Sequence, residues 1–193
     1  MARRFTESYC NHPPGVNDHE LVVVVNGGGE ITTRQRRLFD PLSPAFTSHD
    51  NAGRDLGAFF KAADTIDADL MVFLGAPVRP RMDGWLDWIV QCYLANGPGF
   101  YGQCAFRHPS THIRTTAFWC SPDLLLKYPF EVSAGTRYAV EHGESSLTLW
   151  AQREGFGVWQ VTRKGVFAMN DWYYVPESEI LFLDQHGEGM GFK

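Results

Sequence analysis

Apolar positions along the chain fall into two kinds of pattern, short unbroken runs and longer stretches with helical spacing. The clearest run is Leu21-Val22-Val23-Val24-Val25. It is β-branched and does not alternate, which predicts a strand covered on both faces and therefore a parallel sheet. Asn26-Gly27-Gly28-Gly29 follows, and its glycines permit positive φ and close approach of a ligand at the strand's end. Leu70-Met71-Val72-Phe73-Leu74 repeats the pattern, with Gly75-Ala76-Pro77 as its exit. Between the two runs, Leu56, Phe59, Phe60 and Ala63 have the spacing of one helix face, entered from the polar loop His49-Asp50-Asn51-Ala52-Gly53-Arg54-Asp55. A polar loop feeding a helix start can hold phosphate on the free N–H groups.

The remaining elements follow from the same rules. Residues 2–11 predict an amphipathic helix stopped by His12-Pro13-Pro14-Gly15, and residues 31–39 a helix with a basic outer face, ended by Pro41 and Pro44. A short segment lies around Phe46 and Thr47. Residues 84–95 predict a helix with Trp85, Trp88, Ile89 and Cys92 inward, closed by Asn96-Gly97-Pro98. Strands are predicted over 100–106, 113–120 and 158–162, a short helix over 124–128 capped by Ser121, and a helix over 144–154. Alternating strands and helices in the first half imply an α/β chain with a doubly wound, mostly parallel sheet flanked by helices, and ligands beyond the strand ends. The second half is more irregular. The expected organisation is one domain over 1–193: a nucleotide-binding half at 1–106, an acceptor-side half at 107–175 and a tail at 176–193.

Composition narrows the function classes. With 193 residues, 44% hydrophobic and 20% charged, the chain can bury a core. A net charge of -5 lacks the broad basic field of a nucleic-acid binder, so no nucleic-acid partner is expected. No apolar run approaches the roughly 20 residues that span a bilayer, and no apolar stretch follows Arg3 and Arg4, so neither a transmembrane segment nor a secretory signal is read and a cytoplasmic location is expected. The dispersed Cys10, Cys92, Cys104 and Cys120 argue against a zinc site or disulfide scaffold and for reduced, mostly buried thiols.

The order of these parts resembles the GT-A fold glycosyltransferases, in particular family 2-like nucleotide-sugar transferases and related rhamnan-synthesis type proteins. The matching segments are Leu21 through Gly27, His49 through Asp55, the strand at 70–74, Gly84-Trp85-Leu86, and Glu141-His142-Gly143-Glu144 followed by Ser146-Leu147-Thr148-Leu149-Trp150 and Gly155. The resemblance covers nearly the whole chain. It implies transfer of a sugar from a nucleotide-diphosphate sugar donor to a glycan or lipid-linked acceptor in surface polysaccharide synthesis, with a partner chain or a second copy as a possible associate. The other reading is a noncatalytic module of the same fold that binds nucleotide or carbohydrate or serves as a partner subunit. A Rossmann oxidoreductase is disfavoured because Asn26-Gly27-Gly28-Gly29 lacks the G-x-G-x-x-G register.

Roles follow from the resemblance residue by residue. Asn26 falls near the base, and Arg54 falls where its planar fork can reach base or diphosphate. Asp50, Asp55 and Gly75 border the same cleft, with a helix-start charge pair as the plainer reading of Arg54 and Asp55. Glu144, with Glu141 as its substitute, is the candidate general base that takes the acceptor's proton; either could instead cap a helix. His112 and Arg114 are candidates for the acceptor side or the diphosphate, and a hydrogen-bonded structural role is the plainer one for His112. Where such enzymes carry an Asp-x-Asp motif, this chain reads Phe73-Leu74-Gly75-Ala76-Pro77-Val78-Arg79. A Mg²⁺ or Mn²⁺ site thus has no carboxylate to build on, no metal ligand is assigned, and Arg79, Arg81 or Arg114 could supply the missing positive charge. The resemblance also implies a missing first strand: Phe5-Thr6-Glu7-Ser8-Tyr9 falls on the helix after it and only Met1 to Arg4 precede, which leaves a vacancy in the sheet.

Overall fold

The computed structural model describes residues 1–107 and 110–184. In chain order the elements are α1 (Ala2–Asn11), β1 (Val22–Asn26), α2 (Thr33–Arg37), β2 (Ala45–His49), α3 (Arg54–Thr65), β3 (Met71–Leu74), β4 (Arg79–Pro80), α4 (Trp85–Asn96), β5 (Gly99–Gly102), β6 (Ala105–Phe106), β7 (His112–Ile113), β8 (Ala117–Cys120), α5 (Pro122–Leu126), α6 (Arg137–His142), α7 (Leu147–Arg153), β9 (Gly157–Thr162), β10 (Gly165–Ala168) and β11 (Phe182–Leu183). The main sheet has five strands in the order β10-β9-β5-β8-β3. Strand β5 runs parallel to β9, whereas β8 is antiparallel to both β5 and β3, and β10 is antiparallel to β9. The chain is therefore mixed α/β, and this sheet is mixed where a mostly parallel one was expected. The reason lies in the connections. The helix α4 carries the chain from β3 to β5 in the same sense, but the β6–β7 hairpin turns it back, and β8 returns between them in the opposite sense.

Strict alternation along these strands divides the interior into two cores. Phe73, Phe100 and Phe118 face α3, α5 and α7, joined by Phe59, Leu124 and Trp150. Tyr101, Trp119 and Val161 face the other way, toward Tyr9 of α1, Trp85 and Ile89 of α4, and Phe182 of β11. The rings of Phe73 and Phe118 stack at 4.8 Å between centroids across the β3–β8 pair. Successive residues of β8 thus serve opposite cores, and all four are buried. Predicted strands split where the backbone has to turn. The stretch 100–106 becomes β5 and β6, and 113–120 becomes β7 and β8.

Strands β1 and β2 form a separate parallel pair, in register from Val22 opposite Ala45 to Asn26 opposite His49. Among the described residues β1 has no strand partner besides β2, β3 has none besides β8, and no strand N-terminal to β1 pairs with it. The Val22–Val25 side chains are accordingly half-buried rather than enclosed. The pair is tied in by α3, which packs on β1 and stacks Phe59 near Phe73 at 5.4 Å, and by α1, whose Thr6 Oγ1 donates to Leu38 O at 2.8 Å while Ser8 donates to Pro80 O.

The region beyond 175 packs against the body as far as Leu183. Leu181 and Phe182 are buried, and the buried Gln103 holds them: its Oε1 accepts from Leu181 N–H and from Phe182 N–H at 2.8 Å, and its Nε2 donates to Phe182 O at 2.8 Å. The stretch 187–193 lies outside the described residues. Of the cysteines, all free, Cys92 and Cys120 are buried, Cys104 is intermediate and Cys10 is exposed. No helix among the described residues is long and apolar enough to cross a membrane.

Two predictions concern this frame. Gln103→Leu leaves buried backbone groups without partners and is expected to lower stability by about 1–3 kcal/mol for each group orphaned, read by urea denaturation; an unchanged midpoint refutes the clamp. The Asp87 carboxylate near the start of α4 accepts from Val16 N–H at 2.9 Å and Asn17 N–H at 2.9 Å, and these bonds hold its pKa below the ordinary aspartate value. Its stabilising contribution is then complete above the unfolded-state pKa and is lost as pH falls through the depressed folded-state value. Asp87→Ala is expected to be less stable than the parent near neutrality, with a deficit that shrinks as pH falls through and below the ordinary aspartate range. A constant deficit across that window would contradict the linkage.

Candidate functional site

Two polar clusters lie beyond strand ends. The first follows β1 and β2. The backbone N–H groups of Gly27 and Gly28 both donate to His49 O at 2.9 Å, so the glycine loop folds over the end of β2. Gly27 and Gly28 have φ of +123° and +69°, conformations that favour glycine. His49 Nδ1 accepts from Asn51 N–H at 3.1 Å and also lies 3.1 Å from Asn26 Oδ1, and its Nε2 lies 3.5 Å from Asp50 Oδ1. Asp50 Oδ1 also accepts from Ala52 N–H at 2.8 Å. Asn26 and Asp50 are therefore brought together, with His49, a residue to which the sequence reading assigned no role, between them.

The loop then enters α3 through three left-handed residues, Asn51 at +73°, Gly53 at +71° and Arg54 at +57°. Left-handed φ is costly for a long side chain such as arginine, and strain of this kind gathers at binding loops. Arg54 is exposed at this point. Asp55 points elsewhere, accepting from Arg137 Nη2 at 3.1 Å and thereby tying the start of α3 to α6. A shallow depression of about 410 Å³ adjoins these strand ends, lined by Gly29, Glu30, Ile31, Arg36, Phe46, Thr47 and Ser48. A larger one of about 530 Å³ lies between Arg81, Arg163 and Glu177, and Arg81 is one of the arginines considered above as a source of positive charge.

The second cluster sits where the β7–β8 corner meets α6. Gly75, just past β3, donates its N–H to Thr116 O at 2.8 Å, and a Cβ on Gly75 would come within 3.3 Å of that oxygen. The neighbouring Thr115 donates its N–H to Glu141 Oε2 at 2.8 Å, and its hydroxyl donates to the same oxygen. Glu141 Oε1 lies 2.9 Å from His142 Nε2. Burial pushes the Glu141 carboxyl up, but the Thr115 bonds, with His142 and Arg114 nearby, more than offset it, and the net pKa lies below the usual value. His112 is buried; burial lowers its pKa, the Ser110 carbonyl acts in the opposite sense, and His142 lowers it further. Its Nδ1 lies 3.0 Å from Ser110 O, a carbonyl that can only accept, so Nδ1 carries the proton and Nε2 the lone pair. Gly75, His112 and Glu141 are thus gathered here.

The remaining two candidates are Arg114 and Glu144. Arg114 Nη1 pairs with Asp184 Oδ2 at 3.1 Å, both side chains mostly buried. Glu144 is exposed and lies outside any helix, because Ser146 caps α7 by accepting from Leu149 N–H at 3.3 Å; the helix expected over 144–154 is Leu147–Arg153. Glu141 instead belongs to α6, which the sequence pattern did not reveal. Sequence reasoning also passed over His142, Thr115 and Ser110, and only the adjacency of Glu141 and His142 hinted at one of them. Among the described residues, His112, Glu141 and His142 are the group of three or more such side chains whose potential ligand atoms all lie within 4.8 Å of one another.

No family model matches the chain, and neither the curated proteins nor the solved structures compared with it give a match.

The strand-end loop depends on one glycine. A Cβ on Gly57 would lie 1.8 Å from Ala52 O, a backbone atom that cannot swing aside. Gly57→Ala is expected to displace the 49–53 loop and cost about 1–3 kcal/mol as overpacking does, with shifted NMR signals at His49 and Asn51. A variant of parental stability with unshifted signals would show that the loop does not rest on α3.

Proposed function

We propose that the chain is a GT-A-like glycosyltransferase-type protein that holds a nucleotide-diphosphate sugar at the ends of β1, β2 and β3 and uses Glu141, rather than Glu144, as the general base toward a glycan or lipid-linked acceptor. The observation that carries the reading is the placement of Glu141: a partly buried carboxylate kept ionised by Thr115, whose neighbour Thr116 accepts from Gly75 N–H at the exit of β3. An ionised carboxylate at that place can take the proton of an attacking hydroxyl. The strained Arg54 at the mouth of the polar loop, with Asn26 and Asp50 behind it, supplies donor-side groups. The carboxylate-free exit at Gly75-Ala76-Pro77 supports a transfer that does not rely on Mg²⁺ or Mn²⁺ at that position. One observation favours the second reading, a noncatalytic module binding nucleotide or carbohydrate: both Glu141 oxygens are already engaged, Oε2 by Thr115 and Oε1 by His142.

Calorimetry with uridine and guanosine diphosphates followed by a sugar-nucleotide turnover assay separates the readings. The parent is expected to bind a nucleoside diphosphate, and Arg54→Ala to weaken that by about 1.5–3 kcal/mol. Glu141→Gln is expected to keep the affinity and lose turnover by about 10²- to 10⁴-fold, while Glu144→Gln stays close to the parent. Binding without turnover would leave the module, and absence of nucleotide binding would remove the transferase reading and the nucleotide-binding form of the module.

A further inference from the structure

We propose that His112, Glu141 and His142 form a binding site for one divalent transition-metal ion of the zinc class. The residues come from two elements, β7 and the last turn of α6, and their potential ligand atoms already lie within 4.8 Å of one another. Two imidazole nitrogens and one carboxylate oxygen form a donor set for Zn²⁺ or Co²⁺, not for Mg²⁺ or Ca²⁺, which take oxygen ligands. Bonds of roughly 2.0–2.1 Å place tetrahedral ligands about 3.3 Å apart, so closure asks for an inward shift on the order of 1 Å. His142, half-buried at the end of a six-residue helix, can supply that movement.

Two of the ligands already have the hydrogen-bonded outer partner that metal sites use. His112 Nδ1 is held by Ser110 O at 3.0 Å, which leaves the lone pair on Nε2, and the ring stacks on Phe106 at 5.2 Å. Glu141 Oε2 is held by Thr115, so Oε1 faces His142. Tyr138 lies against the His142 ring at 4.6 Å. A ring nitrogen or carbonyl partner of this kind fixes tautomer and orientation in bound sites. The two histidine rings meet edge to face at 4.1 Å, placing their nitrogens around a space shared with a carboxylate, which a cation other than a proton can fill. Three protein ligands leave a fourth position open to water or a substrate oxygen. The proposal does not rest on the transferase reading, and an ion on Glu141 Oε1 would occupy the lone pair that proton transfer uses.

The test is titration of the metal-stripped full chain with Zn²⁺ against a chromophoric chelator, and with Co²⁺ by visible absorption, with no nucleotide present. One equivalent of Zn²⁺ is expected to bind, with Co²⁺ bands of four- or five-coordinate intensity. His142→Ala and Glu141→Gln are each expected to abolish tight binding, Thr115→Val to weaken it by roughly 10- to 100-fold, and His12→Ala, beside Asp83 on another surface, to leave it unchanged. Circular dichroism of the metal-free variants confirms that they fold. Less than one equivalent on the parent, or undiminished affinity in His142→Ala, would overturn the site. Because no sugar nucleotide enters the experiment, that failure leaves the transferase reading standing, and loss of turnover or nucleotide binding leaves the metal site standing.

Discussion

The structure depends on the burial of β8. Its four residues are enclosed on both faces, and the period-two alternation of a strand sends Phe118 into one core and Trp119 into the other. Neither core could close alone, because the helices α3, α5 and α7 cover one face of the same sheet whose other face is covered by α1 and α4. Entry of β8 in the reverse sense between β3 and β5 also fixes where its own start lies. That start is the corner bearing Thr115 and Thr116, and the corner brings Gly75 and Glu141 together.

The polar sites are therefore consequences of packing. Thr115 is nearly fully buried, and the partly buried carboxylate beside it persists because two hydrogen bonds from the same residue satisfy one of its oxygens. On the other side, the 49–53 loop is pressed against Gly57 and packs its Gly53 near Val132 O, while Asp55 reaches Arg137. The same helix α6 that receives Asp55 at its start carries Glu141 and His142 at its end, so one short helix connects the two clusters.

Strands β1 and β2 show a different economy. An apolar strand with a single partner keeps its side chains half-buried and its second edge unpaired by any described strand, and contacts from α3 and α1 hold the pair to the body.

Local chemistry was legible wherever one residue type has one strong use. Ser121 caps a helix because its hydroxyl meets free N–H groups, Gly97 ends α4 at a φ of +79°, and the valine run forms a strand. The helical face of Leu56, Phe59 and Ala63 was legible for the same reason, a period that survives any fold. Strand direction was not, because a fully buried antiparallel strand such as β8 has the same unbroken apolar run as a parallel one. The choice between Glu141 and Glu144 was equally hidden. They are three residues apart, and only the approach of Thr115 from 26 positions away favours the ionised form of the first, while Ser146 provides the cap of the following helix. The sequence by itself determined the local elements and the residue types available for chemistry. Tertiary structure alone decided which side chains share a space, because those contacts join positions distant in the chain whose spacing carries no period.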